Sequence, residues 1–117
     1  MVKKDKVKQF INHLFLEYNM ELTFHPVALK DLKKQRNQLP LILELITRRA
    51  KQGALLKPDG LAEPLNSPLH NCAKIKHKSS GIRIIYQPIN ESVIQMKIIA
   101  IGPRDKMEAY KRAEDRV

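Results

Sequence analysis

Along residues 5–18, Val7, Phe10, Ile11, Leu14, Phe15 and Tyr18 recur at spacings of three and four. That period predicts a helix with one apolar stripe, capped by Asp5. Met20 to His25 alternates as a short strand does, and Pro26 then falls where a first helical turn tolerates its missing N–H. The run VALKDLKKQRNQ continues as a helix with Val27, Ala28, Leu29 and Leu32 inward and a basic outer face. Leu39–Pro40 breaks it. Leu41, Ile42, Leu45, Ile46 and Ala50 then form another apolar stripe that runs to Gly53, a C-terminal cap, so these two helices make a hairpin. Residues 54–70 hold three prolines and one glycine and read as an irregular connection anchored to the core by its leucines.

Strands are predicted at 71–78, 82–88 and 93–101, with turns at Ser79-Ser80-Gly81 and Pro88 to Ser92, and a further helix follows Gly102–Pro103. Three strands joined by tight turns make an antiparallel meander, so the fold class is α+β: a small antiparallel sheet with helices on one face and its other face open. Side chains alternate across a strand, so Lys74 and Lys76 point one way and Ala73 and Ile75 the other.

Charge sharpens this picture. The chain has 117 residues with 22 Lys plus Arg against 12 acidic residues, a net charge of +10, which favours a polyanionic partner. Residues 71–104 hold six of the cations (Lys74, Lys76, Lys78, Arg83, Lys97, Arg104) and a single acid, Glu91. Half the net charge therefore falls on the predicted hairpin region. Its length suits one domain. A lone Cys72 excludes an intramolecular disulfide framework and fits a reducing cytoplasm. Neither FINHLFL nor LPLILELI is an unbroken apolar run, so no signal peptide or membrane span is expected.

Composition leaves two readings of the basic strand open: a solvated face whose lysines block edge aggregation, or a nucleic-acid surface. Base-stacking aromatics are sparse there, with Tyr86 and Tyr110 alone nearby. Carboxylate pairs, a Ser or Cys nucleophile beside a His, metal-ligand spacings and a glycine-rich phosphate loop are all missing, so no metal or other cofactor is expected. Cys72, His13, His25 and His70 read as structural. His77 lies among the lysines, on the opposite parity to Lys74 and Lys76 unless the strand bulges, and is a candidate acid or base.

The run KIKHKSSGIRIIYQPINESVIQMKIIAIGPRDKMEAY, residues 74–110, resembles the C-terminal half of the RelE toxins, ribosome-dependent messenger-RNA endonucleases of bacterial type II toxin–antitoxin modules. The likeness rests on Lys-Ile-Lys, the Ser-Ser-Gly turn, Arg-x-x-Tyr-Gln, a Gly-x-Arg step and a tyrosine six residues beyond it. It implies a small antiparallel sheet with an N-terminal helical hairpin and a C-terminal helix, over residues 20–117. Residues 1–19 would then be an extra helical extension.

The resemblance also implies a catalytic set of Lys74, Lys76, Arg83, Arg104 and Tyr110. A ribose 2′-OH would attack the adjacent phosphodiester, with Lys76 or Tyr110 accepting its proton, Lys74 and Arg83 holding the phosphate oxygens and Arg104 stabilising the departing oxygen. Lys78, Lys97 and Lys106 are the further cations expected to contact RNA. Implied partners are a cognate antitoxin, bound as a heteromer, and the ribosome with its mRNA, without a membrane. The rival functions are inhibition of gyrase, as in the ParE branch of the same superfamily, and non-catalytic binding of nucleic acid.

Overall fold

The computed structural model describes residues 4–103 and 107–117, with the side chains of residues 4 and 5 outside the description. Helix α1 (Lys4–Tyr18) leads into strand β1 (Met20–Phe24) and helix α2 (Pro26–Lys34); a 3-10 turn at Arg36–Gln38 opens into α3 (Leu39–Gln52). After the irregular connection come β2 (Ala73–His77), β3 (Ile82–Ile89), β4 (Ile94–Pro103) and α4 (Glu108–Arg116).

Local chemistry explains the boundaries. Asn19 takes φ 52° and returns the chain from α1 to β1. His25 caps α2, its Nδ1 accepting from Val27 N at 3.1 Å. Pro40 stands in the first turn of α3, and Gly53, at φ 109°, ends that helix in a conformation that glycine adopts without strain. α1 begins at Lys4, ahead of the Asp5 expected to cap it.

The sheet runs β1-β4-β3-β2. Its last three strands are the antiparallel meander expected, while β1 adds a parallel edge strand, Met20 to Phe24 aligned with Ile94 to Ile98. One face packs Ile75, Ile84, Tyr86, Met96, Ile98 and Ile101 against α1 and α3, with Leu14, Ile42 and Ile46 fully buried among them. α1 thus shares the core of residues 20–117 through Val7 and Leu14.

The opposite face is not left open, contrary to the expectation from strand order. α4 seats Ala109 and Ala113, both fully buried, on Ile85, Ile99 and Ala100, closing a smaller cluster with Leu69 and Cys72. A bulge makes this possible. Ile85 pairs with Ala100 but Tyr86 pairs with Ile98, so Ile99 is the extra residue, and it and Ala100 both lie under α4.

One other expectation is corrected. Val27 and Leu29 face outward, and the buried stripe of α2 is Ala28, Asp31 and Leu32. In the connection 54–70 leucines do anchor the chain, Leu69 buried and Leu56 and Leu65 half-buried against the two clusters, together with Ala54 and Ala62, while Leu61 lies in solvent. Asp31 is buried because β4 outlasts β1. Beyond Phe24 the edge of β4 is closed by side chains: Asp31 Oδ2 accepts from Ile101 N at 3.0 Å, and Arg112 and Arg116 of α4 donate to the carbonyls of Ile101 and Ile99, each at 2.9 Å.

Leu14→Ala removes a fully buried side chain between α1 and the sheet, and should lower unfolding free energy by ~2–5 kcal/mol. Urea denaturation at constant m-value would measure it; a loss near zero would mean that α1 is an appendage to the fold.

Candidate nucleic-acid interface

The hairpin between β2 and β3 sets the geometry. Gly81, at φ 76°, turns the chain, and its N–H donates to His77 O at 2.9 Å. Strand β2 has no bulge, pairing regularly from Ala73↔Tyr86 to His77↔Ile82. Alternation then sends Lys74 and Lys76 to the α4 side of the sheet. Lys76 sits directly opposite Arg83, and Arg83 pairs on its other side with Gly102, one row across three strands. Cβ atoms of such opposed residues lie ~4.5–5.5 Å apart. Lys74 occupies the next row on the same face, ~6.6 Å along the strand, where its Nζ lies 6.0 Å from the centroid of the Tyr110 ring of α4.

Four candidates therefore converge: Lys74, Lys76, Arg83 and Tyr110. Lys74 and Lys76 are exposed, Arg83 and Tyr110 half-buried. None of the three cations makes an ion pair among the described residues. Arg104 and Lys106 lie outside the described residues; Arg104 follows Pro103, which pairs with Ile82. Lys78 is exposed in the turn. Lys97 shares the face but is paired with Gln87, two rows from Arg83, beyond Ile99 and Ala100.

His77 is not brought to this cluster. With β2 unbulged it falls on the other parity, and its Nδ1 is engaged in the turn, 2.9 Å from Ser80 Oγ and 3.3 Å from Ser80 N. Cys72 is buried just ahead of β2, and burial pushes its thiol pKa up. Among the described residues no group of three or more His, Cys, Asp or Glu could hold a metal ion.

Arg49 is the residue that sequence reasoning missed. From the last turn of α3 its guanidinium covers the Tyr86 ring at 5.6 Å and donates to Tyr86 Oη at 3.1 Å and to Lys74 O at 3.2 Å. Tyr86 Oη in turn donates to Ala54 O at 2.8 Å. The backbone beneath Lys74 is thereby tied to α3, and one outward carbonyl of edge strand β2 is occupied. A sequence signal existed: Arg49 continues the stripe Leu45, Ile46, Ala50 with a cation where an apolar residue belongs. Beside it an open groove of about 800 Å³ runs between Arg48, Gly53, Pro64 and the two β2 lysines.

No family model matches the chain. The mRNA interferase toxin RelE of Escherichia coli is 38% identical over 66 residues, which are 49% of this chain and 68% of that protein. The chain belongs to the RelE toxin family. A crystal structure of the isolated E. coli RelE toxin, 30% identical, superposes with a TM-score of 0.55 over 81% of this chain and 95% of that one. A YoeB/ParE toxin from Agrobacterium tumefaciens, 18% identical, shares the fold at a TM-score of 0.52 over 71% of this chain and 97% of its own. In this RelE-family chain the cationic row lies on the strand pair that carries the Lys-Ile-Lys and Arg-x-x-Tyr-Gln motifs.

Burial raises the Tyr86 phenol pKa above 10.0, a shift that the Arg49 hydrogen bond and charge partly oppose. The fold therefore favours the neutral phenol, as it favours the neutral Cys72 thiol. Such groups contribute stability fully below their unfolded pKa values and lose it as pH rises through the folded ones. Melting temperature should fall above about pH 9, and Tyr86→Phe or Cys72→Ala should each flatten that alkaline decline relative to wild type. Parallel alkaline slopes in thermal melts from pH 8 to 11 would contradict this.

Proposed function

We propose that this protein is the toxin of a toxin–antitoxin pair and an endoribonuclease that cleaves mRNA on the translating ribosome. The observation that carries the reading is the register of the hairpin, which opposes Lys76 to Arg83 beside Lys74 and Tyr110. Like charges directly opposite one another on a sheet are destabilising. An anion bound between them removes that cost, and a phosphodiester is the anion that suits the family.

In this reading Lys76, as its free amine, or Tyr110, as its phenolate, accepts the proton of a ribose 2′-OH. The 2′-oxygen bonds to phosphorus while the bond to the 5′-oxygen of the next nucleotide breaks, leaving a cyclic phosphate and a 5′-oxygen that takes up a proton from water. Lys74 and Arg83 hold the non-bridging oxygens as charge builds, Arg83 with a two-pronged grip that lysine cannot reproduce. Arg104 stabilises the departing oxygen. These groups are poor acids and bases, so the reaction depends on in-line placement of the 2′-OH, which the decoding site would supply. Lys78, Lys97 and Lys106 add sequence-independent contacts to phosphate.

The net charge of +10 suits an antitoxin segment that is acidic or amphipathic and orders on binding. It would form a heteromer by covering the cationic row.

Arg83→Ala should slow single-turnover cleavage on ribosomes by ~10²–10³ while the melting temperature stays close to wild type. In cells, mapped mRNA 5′ ends should fall within translated frames and vanish when initiation is blocked. Unchanged cleavage by Arg83→Ala would remove the assignment. Intact transcripts under growth arrest, with altered DNA supercoiling, would identify the gyrase-inhibiting function instead.

A further inference from the structure

Asp31 is the buried charged residue among the described residues, 2% exposed, on a helix that carries none of the candidate site groups. Its carboxylate holds α4. Oδ2 accepts from Arg116 Nη1 at 2.5 Å and Oδ1 from Arg116 Nη2 at 3.2 Å, a two-pronged pair; Arg112 Nη1 lies 3.6 Å from Oδ1. Both arginines also reach β4 carbonyls, and Arg112 Nη2 is held by Glu108 at 2.9 Å. Gly102 gives Arg112 its room, since a Cβ there would stand 3.1 Å from Nη1.

The apolar seat of α4 is slight. Ala109 and Ala113 are its fully buried side chains, and alanine contacts attract without direction. Charge-assisted hydrogen bonds with fork geometry do set direction. The half-buried Tyr110 packs against the same cluster, so the directional contacts that orient this nine-residue helix are those of Arg112 and Arg116. Tyr110 leaves the same helix two residues before Arg112, toward Lys74.

We infer that Asp31 is a positioning residue that, through Arg112 and Arg116, fixes the rotation of α4 and with it the placement of the Tyr110 ring against Lys74. The kinetic part of this inference rests on the nuclease reading above; the geometric part does not.

Two measurements on the full chain separate the parts. With 3-fluorotyrosine at all three tyrosines, Tyr18, Tyr86 and Tyr110, and the Tyr110 signal assigned from Tyr110→Phe, Asp31→Asn should shift or broaden the Tyr110 resonance alone. A general loss of structure would move Tyr18 and the core Tyr86 as well. In single-turnover cleavage on ribosomes, Asp31→Asn should lower the maximal rate about 10- to 100-fold, the scale of an ångström of misplacement, with half-saturation unchanged. In a Tyr110→Phe background the same substitution should cost no more than about twofold, the usual error of additivity. An unshifted Tyr110 resonance in folded Asp31→Asn, or the full rate loss repeated in the Tyr110→Phe background, overturns the inference. If Asp31→Asn does not fold, Arg116→Lys, which keeps the charge and loses the fork, is read by the same criteria. Should Tyr110→Phe itself cut at the wild-type rate, the proton-transfer role of Tyr110 fails, and the resonance alone decides whether Asp31 positions the ring.

Discussion

A strand of ten residues beside a strand of five leaves backbone groups without a ladder, and the rest of this molecule is arranged around that mismatch. β1 ends at Phe24, while β4 continues past Ile98 into the region that supports α4. An unpaired N–H or C=O buried there would cost free energy comparable to a lost hydrogen bond. Asp31, Arg112 and Arg116 supply the missing partners. Burying a carboxylate and two guanidinium groups carries its own desolvation penalty, so such a cluster is weak evidence for stability. What it joins is three elements: α2 through Asp31, the free edge of β4 through its backbone groups, and α4 through Arg112 and Arg116.

The same economy governs the cationic row. Lys76 faces Arg83 because hairpin register puts them opposite, and moving the register by one residue would send every apolar side chain of β2 to the wrong face. Burial of Ala73 and Ile75 on one face thus holds the two cations together on the other. The repulsion is tolerated because Ile75, Ile84 and Tyr86 lie in the main core, and because Arg49 ties the backbone at Lys74 to α3. Two like charges are thereby held opposite each other on a strand pair whose other face is fixed in the core.

Much of this was legible in the chain. Periodicities of two and of three to four located the helices and the meander, and the quoted motifs brought Lys74, Lys76, Arg83 and Tyr110 together as candidates. Two features were not legible. Pairing of β1 with β4 joins segments some seventy residues apart, and nothing local in MELTF announces a parallel neighbour. Asp31 and Arg49 are not announced by periodicity either, because a charge at helical spacing from apolar residues reads as solvent-facing until its distant partner is known. Both are charged residues at helical spacing from buried ones, Asp31 with Ala28 and Leu32, Arg49 with Leu45, Ile46 and Ala50. Such a position calls for a distant partner of opposite charge or an unpaired carbonyl.

The bulge at Ile99 shows why alternation fails along MKIIAIG. Under strict period two, Lys97, Ile99 and Ile101 would share a face, with Ile98, Ala100 and Gly102 on the other. One extra residue reverses the parity downstream: Ala100 turns beneath α4, Ile101 enters the main core and Gly102 comes round beside Arg83. An apolar run accepts the reversal without penalty because both faces are covered. At Gly102 a Cβ would stand 3.1 Å from Arg112 Nη1 and press the guanidinium aside by a few tenths of an ångström. Ala109 of the same helix would meet that Cβ at 3.5 Å, ordinary contact, so the room Gly102 leaves is room for the Arg112 guanidinium that ties α4 to the edge of β4.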